Sequence, residues 1–260
     1  MLEPYIGISD FTDTRQVRQM RQVFIESGGA EVGRKLHVGV MMSRKTLNGI
    51  HSEWTGVFPK NEAIAEIFMT HPAVVNVLHY ADFEGIDEAE NIEAAIKWAG
   101  PRVDAIQLDM IWPDPMTVRF HRELHPEIDL VLRVNAKAMS LVGDDPTNVA
   151  ERLEEYGDAV DMVLLDRSMG SALPMEAETI LPYAWRIAER VPSVRLAVAG
   201  GLGPGSVSLA EPIIREFPDV SIDASGRLRA SGDAKDPVEW DRASRYLAEA
   251  IQLFRRCRTT

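Results

Sequence analysis

Short apolar runs and longer helical patterns alternate along the whole chain, and that alternation restricts its fold more than anything else. Eight runs have the length and content of strands: Tyr5–Ser9, Leu36–Met42, Ala73–Tyr80, Asp104–Met110, Asp129–Asn135, Asp161–Asp166, Val194–Ala199 and Val220–Ala224. Segments with apolar residues at helical spacing follow them. These are Thr14–Ser27 with Asp13 as its N-cap, Asn61–Met69, Asp87–Ala99, Pro115–Leu124 and Pro146–Tyr156 with Asp144 or Asp145 as its cap. Met175–Arg190, Gly205–Glu216 and Asp236–Arg256 complete the set, the last with Trp240, Leu247, Ile251 and Phe254 near one face. A strand, a helix and a further strand make a crossover to a parallel neighbour. Eight such units in 260 residues predict an α/β protein of the (β/α)8 TIM-barrel type. No linker rich in Gly, Pro or Ser interrupts them, so residues 1–260 are expected to form one barrel domain.

In such a barrel the chemistry lies at the carboxyl ends of the strands. Read in order, those ends offer Gly7, Ser9 and Asp10; Ser43, Arg44 and Lys45; His79 and Asp82; Gln107 and Asp109; Arg133, Asn135 and Lys137; and Asp166 with Arg167. The seventh run ends in Gly200-Gly201-Leu202-Gly203-Pro204-Gly205, the eighth in Ala224-Ser225-Gly226. Glycines there let backbone N–H groups come close to a ligand. A helix starting just beyond adds unpaired donors and partial positive charge. Loops after strands 7 and 8 frequently form the phosphate site of this fold. We therefore expect Gly201, Leu202, Gly203, Ser225 and Gly226 to hold a phosphate, and Gly7, Arg44 and Arg133 to touch the rest of the substrate. Carboxylates and cations mixed at one mouth suit acid–base chemistry on a phosphorylated small molecule. The plainer readings are that an Asp at a strand end caps a helix or joins an ion pair, and that His37 and His79 are hydrogen-bonded core residues.

The formal net charge of −12 and the pI near 5.0 argue against nucleic acid or an anionic membrane as the main partner. The only cysteine, Cys257, can form no intramolecular disulfide. No apolar run approaches the roughly 18–20 residues that span a bilayer. The first residues lack the basic-then-apolar order of a signal peptide, so a cytoplasmic location is expected. The connection Ser43–Lys60 is long and carries Trp54, Val57 and Phe58. Connections of that length are more often functional than idle. We read this one as a lid, with a homodimer contact as the alternative.

Several segments resemble phosphoribosylanthranilate isomerase, a barrel enzyme of tryptophan biosynthesis. They are Ile6-Gly7-Ile8-Ser9, Ala105-Ile106-Gln107-Leu108, Val163-Leu164-Leu165-Asp166, Ala199-Gly200-Gly201-Leu202-Gly203-Pro204 and Asp223-Ala224-Ser225-Gly226, followed by Lys235-Asp236. The resemblance implies a ribulose-phosphate-binding type of barrel, an Amadori rearrangement of a phosphoribosyl amine, and no metal or organic cofactor. It maps the general acid onto Asp166 and the phosphate donors onto Gly201, Leu202, Ser225 and Gly226. The family's base is a Cys just before the Gly that matches Gly7; that position is Ile6 here. Where the family continues Gln-Leu-His-Gly, this chain reads Gln107-Leu108-Asp109-Met110, and the glycine-rich loop after Asp166 shrinks to Met169-Gly170-Ser171. A replacement base is expected at Asp109 or Asp10, with Asp109 and Asp166 as the working pair. Two other readings stand beside the isomerase. One is a barrel that binds a phosphorylated ligand without chemistry. The other is a metal-assisted epimerase or aldolase-like barrel using His37, His79 and Asp82 or Asp109.

Overall fold

The computed structural model describes residues 2–168 and 174–258. The segment Met169-Gly170-Ser171 lies outside the described residues. Eight strands form one closed barrel: β1 (Tyr5–Ile8), β2 (Lys35–Ser43), β3 (Val74–Asp82), β4 (Ala105–Met110), β5 (Asp129–Asn135), β6 (Met162–Asp166), β7 (Arg195–Ala199) and β8 (Ser221–Ala224). Each pairs in parallel with the next, and β8 returns to β1 through Ile6 beside Ile222 and Gly7 beside Asp223. This is the (β/α)8 barrel that the alternation predicts.

The helices are α1 (Thr14–Glu26), α2 (Arg44–Leu47), α3 (Asn61–Ile67), α4 (Glu88–Ala99), α5 (Pro115–Leu124), α6 (Ala136–Leu141), α7 (Pro146–Glu154), α8 (Ala177–Arg190), α9 (Glu211–Glu216) and α10 (Trp240–Arg258). Local chemistry starts most of them. Asp13 and Gln16 form a reciprocal capping box at α1, which buries Val17, Met20 and Phe24 on one stripe. Asp114 caps α5 and Asp145 caps α7, each followed by a proline in the first turn. The neighbouring Asp144 takes a left-handed backbone instead.

Three features differ from the sequence expectation. The helix expected over 205–216 is split into a 3-10 turn, Val207–Ala210, and α9. Pro212 has no N–H to continue the ladder. The last helix begins at Trp240, because the Glu239 N–H bonds to the Leu228 carbonyl instead of entering a helical turn. Two short helices, α2 and α6, sit on the rim; Ser43 and Asn135 cap them, so Asn135 serves as a helix cap.

The strands alternate in two directions. Tyr5, Val75, Val77, Ala105, Val131, Met162, Leu164 and Ala197 pack together inside the barrel and close its lower part. Ile6, Ile8, Leu36, Val38 and Val40 point outward into the larger core shared with the helices. Position 6 therefore faces α1 and α10 territory, not the cavity. A base could not act from that position in this register, so the absence of a Cys there says little about whether the cavity holds one.

Candidate active site

Above the apolar floor, the inward residues turn polar and line a cavity of about 780 Å³ at the carboxyl ends of the strands. Period-two alternation puts Gln107 and Asp109 on β4, Arg133 on β5 and Asp166 on β6 at inward positions, side by side. Arg133 spans its two neighbours. Its Nη2 lies 2.5 Å from Asp166 Oδ2 and its Nη1 lies 3.6 Å from Asp109 Oδ2. The other oxygen of Asp166 accepts from the Ser168 N–H at 2.8 Å and the Ser168 hydroxyl at 2.7 Å. Burial alone would raise the Asp166 carboxyl, but Arg133 and Ser168 outweigh it and hold its pKa below the usual value. Burial likewise opposes the charge on Arg133, while Asp109 and Asp166 raise its pKa.

The opposite wall has the contrary character. Asp223, on β8, is buried and accepts from the Ser9 hydroxyl at 3.1 Å. Burial, with the nearby charges of Asp10 and Asp109, pushes its carboxyl up to about 7. No cation holds it. Asp223 carries no expected role from the sequence, where it stands only within a segment that matches the isomerase family. A signal was there: Ser221, Asp223 and Ser225 alternate with Val220, Ile222 and Ala224, which marks a strand with a polar inner face.

His79 lines the cavity and joins the two walls. Its Nε2 lies 2.9 Å from His37 Nε2, and its Nδ1 lies 3.3 Å from Gln107 Nε2, which also reaches Asp109 Oδ1 at 2.8 Å. Burial lowers the pKa of both imidazoles, so both rings are neutral near pH 7. His37, His79 and Asp223 bring one ligand atom each within 4.8 Å of one another. Asp82, an acid expected beside the histidines in a metal-assisted reading, stands apart: it accepts from the Glu84 and Gly85 N–H groups and faces Arg44 Nε at 3.6 Å.

The two glycine turns are neighbours, because β7 and β8 pair directly. Gly200, Gly201, Leu202, Ser225 and Gly226 line the cavity; Gly203 lies behind them. A Cβ at Gly203 would stand 2.6 Å from the Arg227 Cβ, so that glycine lets one turn pack on the other. Gly200 and Gly201 both have positive φ, and a Cβ at Gly200 would also approach Asp166 Oδ1 to 3.0 Å. The Ser225 hydroxyl and Arg229 Nη2 both donate to Asp10 Oδ2, at 2.9 Å each. Asp10 itself has a φ of 73°, rare for a residue with a side chain. The carboxylate nearest the turns is thus neutralised by Arg229.

Gly7 lies under the cavity. A Cβ there would fall 2.5 Å from Asp223 Oδ1 and 2.9 Å from His37 Nδ1, so its hydrogen makes room for those two side chains. Arg44 lines the mouth, paired with Glu84 and Asp82. The long connection after β2 folds over the mouth: Trp54 and Phe58 stack with centroids 4.9 Å apart and both line the cavity. Glu53 pairs with Lys235, from the segment after β8, at 2.7 Å.

The class these features define is a (β/α)8 barrel with a polar cavity at its carboxyl face. No protein-family model and no curated protein sequence matches the chain. Solved structures match in fold. The YdjI aldolase from Escherichia coli K12 is 14% identical, with 96% of this chain and 91% of that chain covered and a TM-score of 0.54. HMG-CoA lyase from Brucella melitensis is 13% identical, with both chains covered in full and a TM-score of 0.51. Active domain 2 of a chitinase from Pyrococcus furiosus is 9% identical, covers 100% of this chain and 97% of that one, and has a TM-score of 0.58. At such identities the likeness concerns the barrel and not the reaction. Among the described residues, no helix is long and apolar enough to cross a membrane.

Proposed function

We propose that this barrel is an enzyme that moves a proton between carbon atoms of a phosphorylated sugar, an isomerisation of the kind phosphoribosylanthranilate isomerase performs. The reading rests on one observation above the others. Two sets of carboxyls face one cavity, Asp223 poised near neutral pH and Asp166 held ionised by Arg133. A carboxyl poised near neutral pH can give a proton to substrate, and a carboxylate across the same cavity can take one. Asp223 in its neutral form donates to the sugar ring oxygen and opens the ring. Asp109, whose Oδ2 has only the longer contact to Arg133, takes the proton from C2 of the opened sugar and returns it to C1, while Asp223 takes back the C2 hydroxyl proton as the ketone forms. Asp166, saturated by Arg133 and Ser168, anchors the arginine. This gives the acid role to Asp223, where the resemblance implied Asp166. The turns at Gly200–Leu202 and Ser225–Gly226 take the phosphate, with Arg229 offsetting Asp10 beside them.

The test is solvent exchange. The protein is incubated in D₂O with N-(5-phosphoribosyl)anthranilate and a panel of aldose phosphates, and loss of the proton next to the carbonyl carbon is followed by NMR. Exchange is expected with the native chain and should fall by about 10²–10⁴ in Asp223→Asn. If sugar phosphates stabilise the protein thermally but none exchanges, the barrel binds without reacting and the catalytic reading is wrong. Complementation of a tryptophan auxotroph decides whether the phosphoribosyl amine is the substrate.

A further inference from the structure

Away from the cavity, in the outer helical layer, Glu93 on α4 faces His121 and His125 at the end of α5. The two histidines are four residues apart, which sets their side chains on one face of the helix. His125 Nε2 lies 2.7 Å from Glu93 Oε2, and His121 Nδ1 lies 4.0 Å from the same oxygen. One ligand atom from each residue falls within 4.8 Å of the other two.

His121 is the informative member. It is 1% exposed; among the described residues neither ring nitrogen makes a well-formed hydrogen bond, and the main chain at Ala89 is the one backbone group that acts on the ring. Buried polar groups without partners are uncommon and costly. The surroundings fit a ligand set. Lys97 holds the other oxygen of Glu93 at 3.2 Å, which leaves Oε2 turned toward both rings. Glu127 stands 3.8 Å from His125 Nδ1, where a carboxylate orients a ligating imidazole. Nitrogen and oxygen ligands at about 2.0–2.2 Å from a tetrahedral zinc-class ion stand roughly 3.3–3.5 Å from one another. The separations of 2.7 and 4.0 Å are each within about an ångström of that.

We propose that Glu93, His121 and His125 bind one zinc-class divalent ion, with a solvent-facing fourth position, and so tie α4 to α5. The full-length protein is stripped with a chelator and titrated with Zn²⁺ by calorimetry and with Co²⁺ by visible absorption, and its melting is followed. One equivalent binding with micromolar or tighter affinity, a tetrahedral Co²⁺ spectrum and a saturating rise in Tm are expected. Glu93→Gln and His125→Ala, both at partly exposed positions, should each weaken binding at least tenfold and abolish the rise in Tm. Asp223→Asn, which alters the separate group of His37, His79 and Asp223 at the cavity, should leave the titration unchanged. Absence of a saturable one-equivalent site overturns the proposal. So does binding that survives Glu93→Gln and His125→Ala, or that disappears with Asp223→Asn.

Discussion

The two walls of the cavity are made from the same residue type and behave in opposite ways. On the β4–β6 side, Asp109 and Asp166 flank Arg133, which holds the Asp166 carboxyl ionised. On the β8–β1 side, Asp223 has a serine hydroxyl and, among the described residues, no ion-pair partner, and its proton is nearly free to leave at neutral pH. An Asp inside a barrel is therefore a fixed charge or a proton carrier according to whether a neighbouring strand supplies a guanidinium. Substrate would lie between the two.

The largest effect should come from breaking the fixed wall. Arg133→Met leaves buried carboxylates unpaired, and disruption of such a pair typically costs about 3–5 kcal/mol. Denaturation at pH 7 should show a loss of that order. The deficit should narrow in acid: the Asp166 carboxyl has a lowered folded pKa, so its favourable contribution exists above its unfolded value and fades as pH falls. An equal loss at pH 7 and at a pH well below the unfolded carboxyl value of 3.8 would mean that Arg133 acts through packing alone.

Asp223→Asn probes the other wall and should have the contrary sign. A carboxyl raised from 3.8 to about 7 favours the fold below its unfolded pKa and loses that advantage as pH climbs through its folded one. The linked penalty is roughly 4 kcal/mol by pH 8. The amide removes it, so the variant should melt higher than the native chain at pH 8 and close to it at pH 4, while proton exchange collapses. A variant that is less stable at pH 8 would place the Asp223 charge among stabilising contacts.

Smaller consequences follow at the turns and the lid. Gly201→Ala forces a side chain into a left-handed backbone, at a cost of about 1–2 kcal/mol, and should weaken sugar-phosphate binding more than it weakens folding. Glu53→Ala removes an exposed ion pair that contributes about 0–1 kcal/mol. Its melting temperature should hardly move. A several-fold rise in KM with kcat retained would identify the Trp54–Phe58 connection as a cover for bound substrate, and an unchanged KM would remove that role.

The sequence alone determined the barrel. Strand and helix periods differ, and every strand found lies within two residues of its expected bounds, because those patterns are local. It also placed Asp109, Arg133 and Asp166 on one rim and the glycine turns side by side, since strand order in an alternating barrel follows chain order. What it could not decide was protonation. Whether Asp223 or Asp166 carries a proton depends on burial and on which cation reaches across from the next strand, and Arg133 chose the β4–β6 side. Nor could it show that Ile6 faces outward, or that Gly203 serves the contact between turns, since each depends on what lies opposite. Helix faces could be read locally, but the meeting of Glu93 with His121 and His125 joins residues from two helices. Only the packing of α4 against α5 brings them together.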